Sequence, residues 1–177
     1  MPRLGMPDLK ESTMWGMTPF DQLYCRVKFR QAHYTGEFTA PQLKQPWIVF
    51  PGYNGGSDWG SVAYDPARGI LVANWNVTPM YEHYIPRKQA DAQDLYSIDD
   101  PRYTPGKGGA EGPGAMEDTP YAISVSAFMV PGLKTLCNEP PYGMITAINL
   151  HDQKVIWQQP LGTCLLYTSD AADDLLC

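Results

Sequence analysis

The stretch from Phe50 to Asn76, FPGYNGGSDWGSVAYDPARGILVANWN, constrains the fold more than any other part of the chain. Glycines at 52, 55, 56 and 60 permit positive backbone dihedrals and let main chain approach a neighbouring surface that a Cβ would block. Ser61 to Tyr64 then reads as a short strand, Asp65 to Gly69 as a turn, and Ile70 to Ala73 as a second strand. A hairpin with a crowded turn accounts for this pattern, and so does the ligand-facing edge of a β structure. The residues alone leave both readings open.

Elsewhere the pattern is also that of strands. Leu23 to Phe29 alternates loosely, Trp47 to Phe50 and Tyr121 to Phe128 are apolar-rich, and Met144 to Leu150 and Val155 to Gln158 flank a polar turn from His151 to Lys154. This last pair reads as a hairpin with a buried Trp157, whose large area can dock a sheet against its neighbour in a radial array. From Pro79 to Pro120 the chain is long, polar and rich in Pro, Gly, Asp and Tyr. It reads as an irregular excursion with a helical turn near Lys88 to Leu95, and with a flexible run from Gly106 to Gly114.

The hairpin resembles the tryptophan-docking motif of quinoprotein dehydrogenase propellers, Ala-x-Asp-x-x-Thr-Gly-x-x-x-Trp. Ala147 and Trp157 match its ends, while Asn149, Asp152 and Gln153 replace its Asp, Thr and Gly. The wider chain resembles the membrane-bound glucose/quinate/shikimate type of pyrroloquinoline quinone (PQQ) dehydrogenase. The matching segments are MWGMTPFDQLYCRVKF (14–29), YTGEFTAP (34–41), FPGYNGGSDWGSVAYDP (50–66), IPR (85–87), TPYAISV (119–125) and LCNEPPYGMITAINL (136–150). The fold implied is all-β, a partial β-propeller of about two blades from a larger eight-bladed one. Residues 1–163 are its propeller portion, with 79–120 as a long insertion.

The resemblance also implies a site. Asn74, directly after the strand ending at Ala73, occupies the position of an asparagine that hydrogen-bonds the cofactor quinone, a role an amide fills without titrating. Asp58 and Trp59 stand at the Asp-Trp position of the glycine-rich turn, where the indole would wall the cofactor cavity and the carboxylate would orient a donor or the substrate hydroxyls. As purely structural residues, Asn74 would close a strand, Asp58 would cap a turn and Trp59 would pack in the core. No catalytic base and no metal ligand is assigned within the chain. The family's catalytic aspartate and the ligands of its Ca²⁺ or Mg²⁺ belong to segments upstream of Met1. The implied whole is a dehydrogenase at the periplasmic face of the bacterial inner membrane. It oxidises a sugar, polyol or cyclic hydroxy acid with PQQ and passes electrons to ubiquinone, while this piece alone is inactive. A noncatalytic propeller scaffold is the alternative.

Cys25 and Cys137 both fall in matched segments, and a disulfide or two buried thiols are equally compatible with the sequence. The segment Cys164 to Asp174, CLLYTSDAADD, matches the translation of a transposon-end sequencing adapter, so residues 164–177 are read as an artefact. Without Asp170, Asp173 and Asp174 the formal charge of −6 becomes about −3. There is no basic stripe or zinc spacing to suit nucleic acid. His33, His83 and His151 lack metal-binding spacing, the Gly106-Lys107-Gly108 run lacks a phosphate-loop pattern, and Asn76-Val77-Thr78 is a sequon match without weight in a bacterial chain. No apolar run reaches the length of a membrane span.

Overall fold

The computed structural model describes residues 2–53, 56–57, 62–107 and 111–161. It is mostly β, with one departure near its start. Pro19–Gln31 is an α-helix, α1, so the strand expected over Leu23 to Phe29 does not exist. The cause is local chemistry at the N-terminus. The Thr18 hydroxyl accepts from the Asp21 amide at 3.3 Å, and the Asp21 carboxylate accepts from the Thr18 amide at 3.0 Å. Pro19 supplies a preset first-turn dihedral. The inward face of α1 carries buried Asp21 and Cys25.

Among the described residues, eight strands form two four-stranded antiparallel sheets. They are β1 (Trp47–Val49), β2 (Val62–Asp65), β3 (Ile70–Asn76), β4 (Met80–Pro86), β5 (Gly112–Ala115), β6 (Tyr121–Ala127), β7 (Gly143–Asn149) and β8 (Lys154–Pro160). The first sheet has the order β1-β4-β6-β5 and the second β2-β3-β7-β8, as expected for about two blades of a propeller. The chain interleaves them. The hairpins β2-β3 and β7-β8 make the second sheet, and β4 to β6 are built between them in sequence. Their join is the β3–β7 ladder, which runs from Ile70 opposite Asn149 to Asn76 opposite Gly143.

The segment 79–120 is therefore more regular than its composition suggests. β4 lies next to the middle of the first sheet, with Met80 opposite Ala127 and Pro86 opposite Tyr121. A short helix, α2 (Arg87–Asp91), follows and overlaps the first half of the helical turn expected near Lys88 to Leu95. β5 carries Pro113 at the sheet's outer edge, where a missing N–H is tolerated. Among the described residues of the stretch between α2 and β5, none from Ala92 to Lys107 is in a helix or strand. Of the run expected to be flexible, 108–110 lie outside the described residues and Gly112 to Gly114 belong to β5.

The main core gathers Met14, Cys25, Ile48, Phe50, Trp75, Val77, Phe128, Val130 and Cys137, uniting α1, the β1 end, the β3 end and the segment after β6. Trp157 is not part of a core. It is 42% exposed on β8, all of whose residues are exposed. β8 is the outer strand of its sheet, so its indole finds no second layer among the described residues. Gln153, in the position of the docking motif's glycine, adopts φ 58° at the β7-β8 turn.

Candidate cofactor-facing edge

The described part of the glycine-rich turn lies along the end of β3. The Gly56 amide donates to the Asn76 carbonyl at 2.8 Å and the Asn76 amide donates back to the Gly56 carbonyl at 3.0 Å. The Ser57 hydroxyl donates to the Asn74 carbonyl at 3.0 Å. The described part of the turn and the strand that carries Asn74 are thus brought together.

The glycines serve different ends. Gly56 has φ +81°, and a Cβ there would find only the Pro51 ring, at 3.9 Å. Gly52 has no such dihedral but is closely packed, since a Cβ would lie 2.1 Å from Met80 Cγ. Backbone freedom explains the first and steric room the second. Gly55, Gly60, Asp58 and Trp59 lie outside the described residues.

Asn74 is inside β3 rather than beyond its end, because the strand continues to Asn76. It pairs with Ile145 and sits between buried Ala73 and Trp75. Side chains alternate along a strand, so Trp75 takes the core face and Asn74 the other. Asn74 is half-buried, and its side-chain amide meets no hydrogen-bond partner among the described residues.

A small cleft of about 70 Å³ lies beside this edge, lined by Phe50, Pro51, Gly56, Ser57, Trp75 and Asn76 and closed on one side by Leu4 to Met6. Asn74 does not line it. Cofactor pockets run from about 300 Å³ upward, so this cleft cannot enclose a tricyclic quinone.

The edge is braced from behind by residues that sequence reasoning missed. Asn138 donates through Nδ2 to the Val77 carbonyl at 2.9 Å, and the Val77 amide donates to the Tyr142 carbonyl at 2.9 Å. Next to Asn138, Cys137 forms a disulfide with Cys25, with Cα atoms 5.4 Å apart, which resolves the open choice at those cysteines. The adjacency of Cys137 and Asn138 in a Pro-rich segment was the available signal. Nearby, burial pushes the Tyr142 hydroxyl up to about 12, and that oxygen has no partner among the described residues. In β4, burial raises the half-buried Glu82 carboxyl, with a Trp47 hydrogen bond opposing the rise. Burial, and then Lys28, lower the neighbouring His83. Among the described residues no group of three or more His, Cys, Asp or Glu is arranged to hold a metal ion.

Comparison with known proteins decides the family. The model of the PQQ glucose/ethanol/alcohol dehydrogenase β-propeller domain matches residues 1–171. The chain belongs to this family. The match to this dehydrogenase propeller extends past Thr163, the expected end of the native sequence. Individual relatives include the glycerol dehydrogenase large subunit of Gluconobacter oxydans (strain 621H), 64% identical over 92% of this chain and 22% of that protein. The quinate/shikimate dehydrogenase (quinone) of Acinetobacter baylyi is 37% identical over 92% of the chain and 19% of its own length. The quinoprotein glucose dehydrogenase of Escherichia coli (strain K12) is 36% identical over 88% and 19%. The chain thus spans about a fifth of the length of these relatives. Identity is thus 64% to the relative named for glycerol and 36% to the one named for glucose.

Proposed function

We propose that the chain is the part of a PQQ-dependent, quinone-reducing polyol dehydrogenase that lends one rim to the cofactor cavity. The observation that carries this reading is the half-buried Asn74 amide, without a partner among the described residues and held beside the glycine-rich turn by the Ser57 hydroxyl. Bound there, PQQ would supply a two-electron oxidant. The Asn74 amide would donate a hydrogen bond to a quinone oxygen and fix its orientation, while Asp58 and Trp59 would face the same cavity from the turn. The base that takes the hydroxyl proton and the ligands of a Ca²⁺ or Mg²⁺ ion are assigned to the remainder of the parent protein.

The substrate class is taken from the 64% relative, named for glycerol, and the quinone acceptor from the quinate relatives, whose names specify it. A periplasmic location agrees with the Cys25–Cys137 disulfide, because such bonds persist in oxidising compartments. No helix among the described residues is long and apolar enough to cross a membrane, and anchoring is assigned to another part of the parent. Residues 164–177 are assigned to a sequencing adapter, which resequencing the parent gene beyond Thr163 tests.

The full-length parent, loaded with PQQ and calcium, should reduce a quinone-like dye with glycerol faster than with glucose. Asn74→Ala should raise the PQQ concentration for half-loading by about 3- to 10-fold, the size of one hydrogen bond. Absence of dye reduction in the wild-type holoprotein would favour the noncatalytic scaffold. Unchanged PQQ loading in the variant would remove Asn74 from the cofactor site.

A further inference from the structure

The outer face of α1 is apolar and open. Phe20, Leu23 and Val27 are spaced three and seven residues apart, which places them on one helical stripe. They are 83%, 58% and 45% exposed, and Met17, just before the helix, is 59% exposed. The opposite face holds buried Asp21 and Cys25, and the disulfide from Cys25 to Cys137 ties the helix to the core. α1 is therefore a fixed, rigid element that presents large apolar side chains outward.

Cations border the stripe on both sides. Arg26 and Arg30 follow Leu23 by three and seven residues, and Lys28 follows Tyr24 by four. Both arginines reach the single carboxylate of Glu11, and the Lys28 ammonium lies about 6 Å from the Tyr24 and Tyr81 rings. Three cations thus stand with one partly buried carboxylate at this face, in a chain whose formal charge is −6, or about −3 without Asp170, Asp173 and Asp174. An apolar stripe with basic flanks on an otherwise acidic molecule complements a negatively charged lipid surface, into which apolar side chains sink while basic stems reach headgroups.

We propose that α1 rests on the anionic surface of the membrane, with Phe20, Leu23 and Val27 entering the headgroup layer and Lys28, Arg26 and Arg30 meeting lipid phosphates. The contact is peripheral and separate from any spanning anchor. It would set the height and tilt of this edge of the propeller above the bilayer. The inference rests on the reading that the parent protein works at a membrane.

The test uses the full-length parent in nanodiscs of phosphatidylcholine, with or without phosphatidylglycerol. An environment-sensitive fluorophore is attached at Phe20→Cys or Leu23→Cys, with Thr104→Cys as a control on an exposed loop. Labels at 20 and 23 should shift to the blue and be quenched by brominated acyl chains when phosphatidylglycerol is present, and the control should do neither. Lys28→Ala should lower the ratio of docked to free label by about fivefold, the effect of one basic side chain near an anionic surface. A label that stays in water in both lipid mixtures overturns the proposal. So does a blue-shifted label that bromine never quenches, since the enzyme's own remaining chain would then cover the stripe. Retention in nanodiscs and dye reduction on the same samples report the membrane and dehydrogenase readings separately, so a failure of either is distinguishable from a failure of this contact.

Discussion

The indole N–H of Trp75 donates to the Thr146 hydroxyl at 2.9 Å, with both residues buried. This bond ties β3 to β7 one residue away from Asn74. Thr146→Val in the parent protein should leave the buried N–H unsatisfied and cost about 1–3 kcal/mol. Chemical denaturation measures the loss. The double variant Trp75→Phe/Thr146→Val should lose less than the sum of the two single changes, as expected for partners in one bond.

The Cys25–Cys137 disulfide closes a loop with a sequence separation of 112. Loop-closure entropy for so long a loop predicts a loss of up to about 5 kcal/mol on removing the crosslink. Denaturant midpoints for the parent protein with and without reductant give the value. Cys25→Ala/Cys137→Ala should behave like the reduced wild type and should no longer respond to reductant.

Gln153 holds a left-handed backbone at φ 58°. Such a conformation costs a non-glycine residue roughly 1–2 kcal/mol relative to glycine. Gln153→Gly, which restores the docking motif's own residue, should therefore stabilise the parent by up to about 1 kcal/mol, less the extra freedom glycine gives the unfolded chain and less the glutamine's own interaction. An unchanged or lowered midpoint would show that the glutamine side chain offsets the backbone cost.

Burial pushes the Tyr142 hydroxyl up to about 12, above its value of about 10 in an unfolded chain. With the folded value raised, its contribution to stability is intact below about pH 10 and is lost as pH rises through about 12. Tyr142→Phe should flatten this alkaline loss and cost little near neutrality, because the hydroxyl has no partner among the described residues. Denaturation midpoints near neutral pH and at about pH 11 separate the two proteins.

Much of the β organisation was legible because its signals are local. The β2-β3 turn and the β7-β8 turn were placed from Asp65 to Gly69 and from His151 to Lys154, and both hairpins form there. α1 was misread because its exposed Leu23 and Val27 resemble strand alternation, although Thr18-Pro19-Phe20-Asp21 carries the capping signal of a helix. β4 was hidden by its mixed composition, MYEHYIP, since its partner β6 rather than its own pattern fixes it. The end of β3 was placed three residues too early, at Ala73 rather than Asn76, because only the ladder to β7 reveals that extension. Trp157 was expected inside from its size alone. Its position on an outer strand leaves it in solvent.

The interleaving of the two sheets has a consequence for synthesis. As the polypeptide leaves the ribosome, β3 emerges with one side already zipped to β2 and the other raw, because its partner β7 begins only at Gly143. At bacterial translation speeds that vacancy lasts on the order of several seconds. During this interval any stray extended segment is a rival for the place of β7, so a factor that shields nascent chains would matter most for this one strand.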